Sequence, residues 1–154
     1  MRFVTADDAL MLAAIHAQCF DEVWNADAIK ALLAMPGAFG LVDADETGFI
    51  LVRTAGGESE VLTLAVAPAA RRRGTARELI MAAARHAADA GAAIMFLEVG
   101  AANLPALALY SQLGFAQVAR RNAYYTGLHG MREDALVLRS DIPLVMMGNS
   151  LQLG

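Results

Sequence analysis

Apolar and polar residues follow two rhythms along this chain. The segment TADDALMLAAIHAQCF opens with Thr5 and Asp8 three apart, the reciprocal pairing that starts a helix, and then turns largely apolar. NADAIKALLAM predicts a second short helix, stopped by Pro36-Gly37. AFGLVDA and GFILVRTA predict strands around a turn at Asp45 to Gly48. Gly56-Gly57 then turns the chain into SEVLTLAVAP, where Leu62, Leu64 and Val66 alternate with smaller partners. From about Gly74 to Ala90 the residues Ala76, Leu79, Ile80, Ala83, Ala87 and Ala90 recur at helical spacing. Gly91 stands where a glycine ends such a helix. AIMFLEV is almost all apolar and predicts a central strand. Asn103 is placed to cap the helix LPALALYSQL, which ends at Gly114, and FAQVAR and DALVLRS predict the closing strands. The order α-α-β-β-β-α-β-α-β-β gives hairpins followed by one strand–helix–strand crossover. It predicts a mixed sheet with helices on it, in the α/β or α+β class.

Composition narrows the picture. The 154 residues suggest one domain, and 57% hydrophobic against 18% charged residues supply a core. Residues 1–140 read as the domain. Residues 141–154 read as an apolar tail without a clear period, expected either to pack on the body or to offer a surface to a partner such as a second copy. A net charge of −4 argues against a general nucleic-acid binder. The one cysteine, Cys19, allows no internal disulfide and fits a reducing compartment. His16, His86 and His129 show no metal-ligand spacing, and His86 reads as a surface residue. Asp7 and Asp8 come too early for a signal peptide, and Glu98 interrupts the best candidate for a membrane span. The expectation is a cytoplasmic protein with no metal, nucleic-acid or membrane partner.

One stretch conflicts with elementary electrostatics. Arg71, Arg72 and Arg73 stand immediately before a predicted helix, whose start already carries positive partial charge and free N–H groups. An anion bound there would offset them: Gly74 allows close backbone approach, Ala76 is small, and the N–H groups from Arg72 to Arg77 could meet one phosphate or pyrophosphate. The other reading is a solvated charge run with a glycine turn. Neither a Walker A loop nor a Rossmann fingerprint is present.

VAPAARRRGTARELI resembles the acyl-CoA motif [QR]-x-x-G-x-[GA] of the GNAT acetyltransferase superfamily, through Arg71, Gly74 and Ala76. LEVGAANLPALALYSQLGF, Leu97 to Phe115, resembles the RimI-type N-terminal acetyltransferases of that superfamily. They carry a Leu-Glu-Val strand end, an Asn, then Ala-Leu-Tyr and Leu-Gly-Phe. RRNAYYTG, with Arg121, Tyr124 and Tyr125, and REDALVL echo the same group. The likeness covers Leu62 to Leu138 well and the first third loosely. Val23-Trp24 stands where the family tends to show Pro-Trp.

The resemblance implies a GNAT-like, mostly antiparallel mixed sheet flanked by helices, and acetyl transfer from acetyl-CoA to an amine by direct attack. The donor would lie against Leu64, Ala65 and Val66, the loop Arg71, Arg72, Arg73, Gly74, Thr75, Ala76 and Arg77, and Asn103. Glu98 matches the family's general base, working through water, and Tyr110 the acid that protonates the leaving thiolate. By their residue types alone, Glu98 could face solvent or cap the next helix, and Tyr110 could belong to the stripe Ala106, Leu109, Tyr110, Leu113. Tyr124 and Tyr125 would border the acceptor. Trp24 and Phe20 could line the same pocket or belong to the core. The implied acceptor is a protein N-terminus of the ribosomal-protein-alanine type. A small amine, or a non-catalytic acyl-CoA-binding role, are the alternatives.

Overall fold

A computed structural model describes residues 1–126 and 132–145, with backbone alone at 123–126. Its elements in chain order are β1 (Arg2–Phe3), α1 (Ala9–Ala17), α2 (Ala26–Leu33), β2 (Ala38–Val42), β3 (Gly48–Ala55), β4 (Glu58–Val66), α3 (Thr75–Asp89), β5 (Ile94–Gly100), α4 (Leu104–Gln112), β6 (Ala116–Thr126) and β7 (Arg132–Asp141). They form one seven-stranded sheet in the order β1-β2-β3-β4-β5-β7-β6. Every pairing is antiparallel except β4 with β5, the pair joined through α3. This is the mixed α/β architecture expected, with β5 inside the sheet.

The core follows from the two-residue period of a strand. In β3, Ile50 and Val52 face α3 and join Leu79, Ile80, Ala83, Ala84 and Ala87. Phe49 and Leu51 face the other way and pack with Leu12, Ile15 and Ile29 of α1 and α2. A strand covered on both faces reads as a continuous apolar run, as GFILV does.

Local differences from the expected elements have physical causes. β1 has two residues, too few to show a period. The Thr5–Asp8 pairing is present, but it starts a 3₁₀ turn over Ala6–Asp8 that leads into α1. β6 runs on through RRNAYYT, and its register slips between Gln117 and Ala119 and between Arg121 and Tyr125, which hides the alternation. His86 is not a bare surface residue: its ring meets Phe3 and Phe39 edge-on at 4.8 and 4.4 Å. Packing also continues past Ser140. Ile142 donates its N–H to the Ala93 carbonyl, and Ile142 and Leu144 are buried in the core. The rest of the tail, 146–154, and His129 lie outside the described residues.

One irregularity positions the site. β4 and β5 pair only from Glu58↔Ile94 to Glu60↔Phe96. Just beyond, Leu51 faces Thr63 while Val52 faces Val61, so Leu62 is an extra residue in β4. A bulge bends its strand and increases its twist. Past this bulge β4 and β5 share no register, and a cleft opens between their C-terminal halves.

Candidate active site

The cleft has a volume of about 600 Å³. Its walls are the parted strands β4 and β5, the connection from α1 to α2, and the start and one face of α4. Of the residues singled out from sequence, Leu64, Arg71, Glu98, Asn103, Tyr110, Phe20 and Trp24 line it together.

The β4 wall offers backbone. Ala67 donates its N–H to the Thr47 carbonyl, and alternation along an antiparallel ladder turns the polar groups of Leu64 and Val66 toward the cleft. The Val66 carbonyl is engaged, accepting from Arg71 Nε at 3.1 Å and Cys19 Sγ at 3.3 Å. Leu64 is then a backbone position turned toward the cleft beyond the end of the pairing with β5 at Glu60. The Ala65 side chain is buried in the cluster with α1 and α2.

Beyond Val66 the chain makes the arginine loop. Arg72 has φ 66° and Gly74 φ 79°, both left-handed. That conformation costs a residue with a side chain of order 1–2 kcal/mol, and successive turns of this kind gather N–H groups into an anion-binding concavity. Among the described residues no acceptor meets the N–H groups from Arg72 to Arg77. They sit at the start of α3, where Thr75 and Ala76 add only small, half-buried side chains. Arg72 and Arg73 are exposed. Two arginines serve other ends. Arg71 holds Val66, as above, and Arg77 donates to Gln112 Oε1 at 2.6 Å, tying α3 to α4.

Five carboxylates, Asp21, Glu22, Glu60, Glu98 and Glu133, also line the cleft. Glu98 is half-buried on β5 and pairs with Arg121 at 3.1 Å. Glu133 approaches over Gly100, where a Cβ would stand 2.6 Å from its Oε1, and accepts the Ala102 N–H at 2.9 Å. Asn103 caps α4 by accepting from Ala106 N–H at 3.3 Å. Tyr110 is 8% exposed, with its ring edge-on to Phe115 at 5.9 Å. It thus belongs both to the apolar core and to the cleft wall. Tyr124 and Tyr125 have their backbone in β6, and their side chains lie outside the described residues.

His16 was missed as a site residue. It is 3% exposed and lines the cleft, and Nδ1 has no hydrogen-bond partner. Its ring lies against Trp24 at 4.6 Å, nearly parallel, and against Phe20 at 4.6 Å. Burial pulls its pKa below the ordinary 6.5, partly opposed by Glu22. The signal was present: His16, Phe20 and Trp24 recur every fourth residue. Trp24 meanwhile packs on the α1–α2 core as well as lining the cleft. Among the described residues no three His, Cys, Asp or Glu side chains are grouped to hold a metal ion, and no helix is long and apolar enough to cross a membrane.

Residues 9–115 match the acetyltransferase (GNAT) family. The chain is 36% identical to the [ribosomal protein bS18]-alanine N-acetyltransferase of Escherichia coli K12 over 87 residues, which are 56% of this chain and 58% of that enzyme. It is also 36% identical to the N-alpha-acetyltransferase RimI of Mycobacterium tuberculosis over 133 residues, 79% of this chain and 81% of that protein. In fold it is similar to the crystal structure of the ribosomal-protein-S18-alanine N-acetyltransferase from Escherichia coli. There the TM-score is 0.81 at 24% identity, covering 95% and 96% of the two chains. It is likewise similar to Arabidopsis thaliana NAA60 in complex with acetyl-CoA, with TM-score 0.75 at 20% identity, covering 92% and 97%.

Proposed function

This chain belongs to the acetyltransferase (GNAT) family and is an acyltransferase; from that premise we infer that it moves an acetyl group from acetyl-CoA to the N-terminal α-amine of a protein. The observation that carries this reading is what lines the cleft: Arg71 of the arginine loop, Glu98, Tyr110 and further carboxylates border one space, next to the N–H groups at the start of α3 that no acceptor meets among the described residues.

The anionic end of the donor suits the arginine loop. Its pyrophosphate would take the N–H groups from Arg72 to Arg77 with the side chains of Arg72 and Arg73, and an anion there also offsets the left-handed loop and uses the helix dipole. The pantetheine amides would pair with the backbone of Leu64 as an added strand does. Asn103, at the start of α4, borders the same cleft. The acceptor enters among the cleft's carboxylates, beside His16 and Trp24, where they favour an ammonium group.

Three proton transfers complete the reaction. Glu98, through a water, takes a proton from the α-ammonium and leaves a neutral amine. The amine nitrogen attacks the thioester carbonyl, and the C–S bond breaks. The leaving thiolate takes the phenolic proton of Tyr110, and the nitrogen gives up the surplus proton it carries after attack to the resulting phenolate through water, which restores Tyr110 and leaves a neutral amide. A phenol of pKa about 10 can donate to a thiolate whose thiol has pKa about 8.5. Arg121, paired with Glu98 at 3.1 Å, orients its carboxylate.

Magnitude favours an α-amine over lysine. With pKa values of about 7.7–8.0 and 10.4, the α-amine offers a few hundred times more neutral nucleophile near neutrality. A base acting through water then suffices. The test is calorimetry with acetyl-CoA on the wild type and on Glu98→Gln. Equal donor affinity with lost turnover supports the assignment, whereas loss of donor binding overturns the role given to Glu98.

A further inference from the structure

A second hollow of about 290 Å³ lies on the sheet face beside the cleft, and the two share Glu60, Leu97 and Glu98 as a common wall. Its floor is Phe96, and its rim holds Arg53, Glu58 and Arg121. The arginines are already engaged. Arg121 pairs with Glu98, and Arg53 donates Nε to the Pro36 carbonyl at 3.3 Å. Glu58 and Glu60 have no ion-pair partner among the described residues. Phe96 also lies beside a cation of the neighbouring strand, the Arg139 guanidinium carbon standing 6.0 Å from its ring centre.

We propose that this hollow is a subsite for a cationic side chain of a peptide acceptor, a few residues behind the reacting amine. The inference rests on the N-terminal transfer read above and adds to it a preference for sequence. Register sets the spacing. Glu60 pairs with Phe96 and Glu58 with Ile94, so they stand two and four residues back along the strands from Glu98. At ~3.3 Å per residue these offsets are ~7 and ~13 Å. An extended peptide with its amine at Glu98 covers the same distances at a similar rise per residue. Its third to fifth residues therefore lie over the hollow. A lysine or arginine there would place its stem on Phe96 and its charge between Glu58 and Glu60. A small amine would fill the cleft alone and leave the hollow unused.

The test uses two peptides with free N-termini that begin Ala-Ser and continue with Arg-Arg or with Gln-Gln. Their kcat/KM values are measured on the wild type at low and high salt, and on the Glu58→Gln, Glu60→Gln double variant, with melting curves to show that it is folded. The Arg-Arg peptide is expected to be favoured roughly three- to tenfold, through KM, as two partly exposed charge contacts allow. The preference shrinks at high salt and disappears in the double variant. Equal values on the wild type, or a preference that survives both substitutions, overturn the subsite and leave N-terminal transfer standing. Transfer to neither peptide overturns both.

Discussion

Three side chains in the cleft have separable tasks. Glu98→Gln keeps the shape but removes the proton acceptor, and general-base loss of this kind costs about 10²–10⁴ in kcat. The defect is expected to narrow as pH rises past about 8, where the α-amine loses its proton unaided. A defect constant with pH would contradict the role. Tyr110→Phe keeps the ring against Phe115, so the melting temperature should hold while kcat falls, and the fall should lessen with a thioester whose thiol is more acidic. His16 carries a stability prediction. Its folded pKa lies below 6.5, so between the two values the unfolded chain binds more protons. Stability is therefore full above about pH 6.5 and declines as pH falls below it. His16→Phe removes that dependence and an unsatisfied buried nitrogen, which costs about 1–3 kcal/mol. Melting between pH 5.5 and 7.5 should show a higher, flatter profile, and a lower melting temperature at pH 7.5 would contradict it.

At the scale of elements, the loop from Arg71 to Gly74 is the most exacting piece of backbone. A Cβ at Gly74 would meet nothing within 4 Å, so its constraint is φ 79° and not space inside the protein. Gly74→Val puts a β-branched residue where such residues are outliers. It is expected to weaken CoA binding by about tenfold, while Gly74→Asn, which tolerates the left-handed region, loses much less. Equal affinities for both variants by calorimetry would remove the loop from the donor site. The arginine loop stood out because arginines before a helix start are anomalous in a single line of sequence. The separate uses of Arg71 and Arg77 did not, because Val66 and Gln112 meet them only after folding. The extra residue Leu62 was also invisible: it shows only against β3, yet it begins the cleft.

For the whole molecule, a net charge of −4 conceals a local basic loop, Arg71 to Arg73, beside a cleft lined by several carboxylates. CoA affinity should therefore fall with added salt despite the acidic composition, and a salt-independent affinity would contradict the placement of Arg72 and Arg73. Periodicity revealed the faces of α3 and α4, and an almost unbroken apolar run revealed the central strand β5. Neither could reveal the carboxylates gathered in the cleft, because Glu22, Glu60, Glu98 and Glu133 come from four separate stretches that only the topology gathers. The most direct test of the account is mass spectrometry of one peptide with a free α-amine and an internal lysine, incubated with acetyl-CoA and the enzyme near neutral pH. The account predicts a single acetyl group on the N-terminal nitrogen. Acetylation of the lysine with the N-terminus left free, or no transfer while acetyl-CoA still binds, would contradict it.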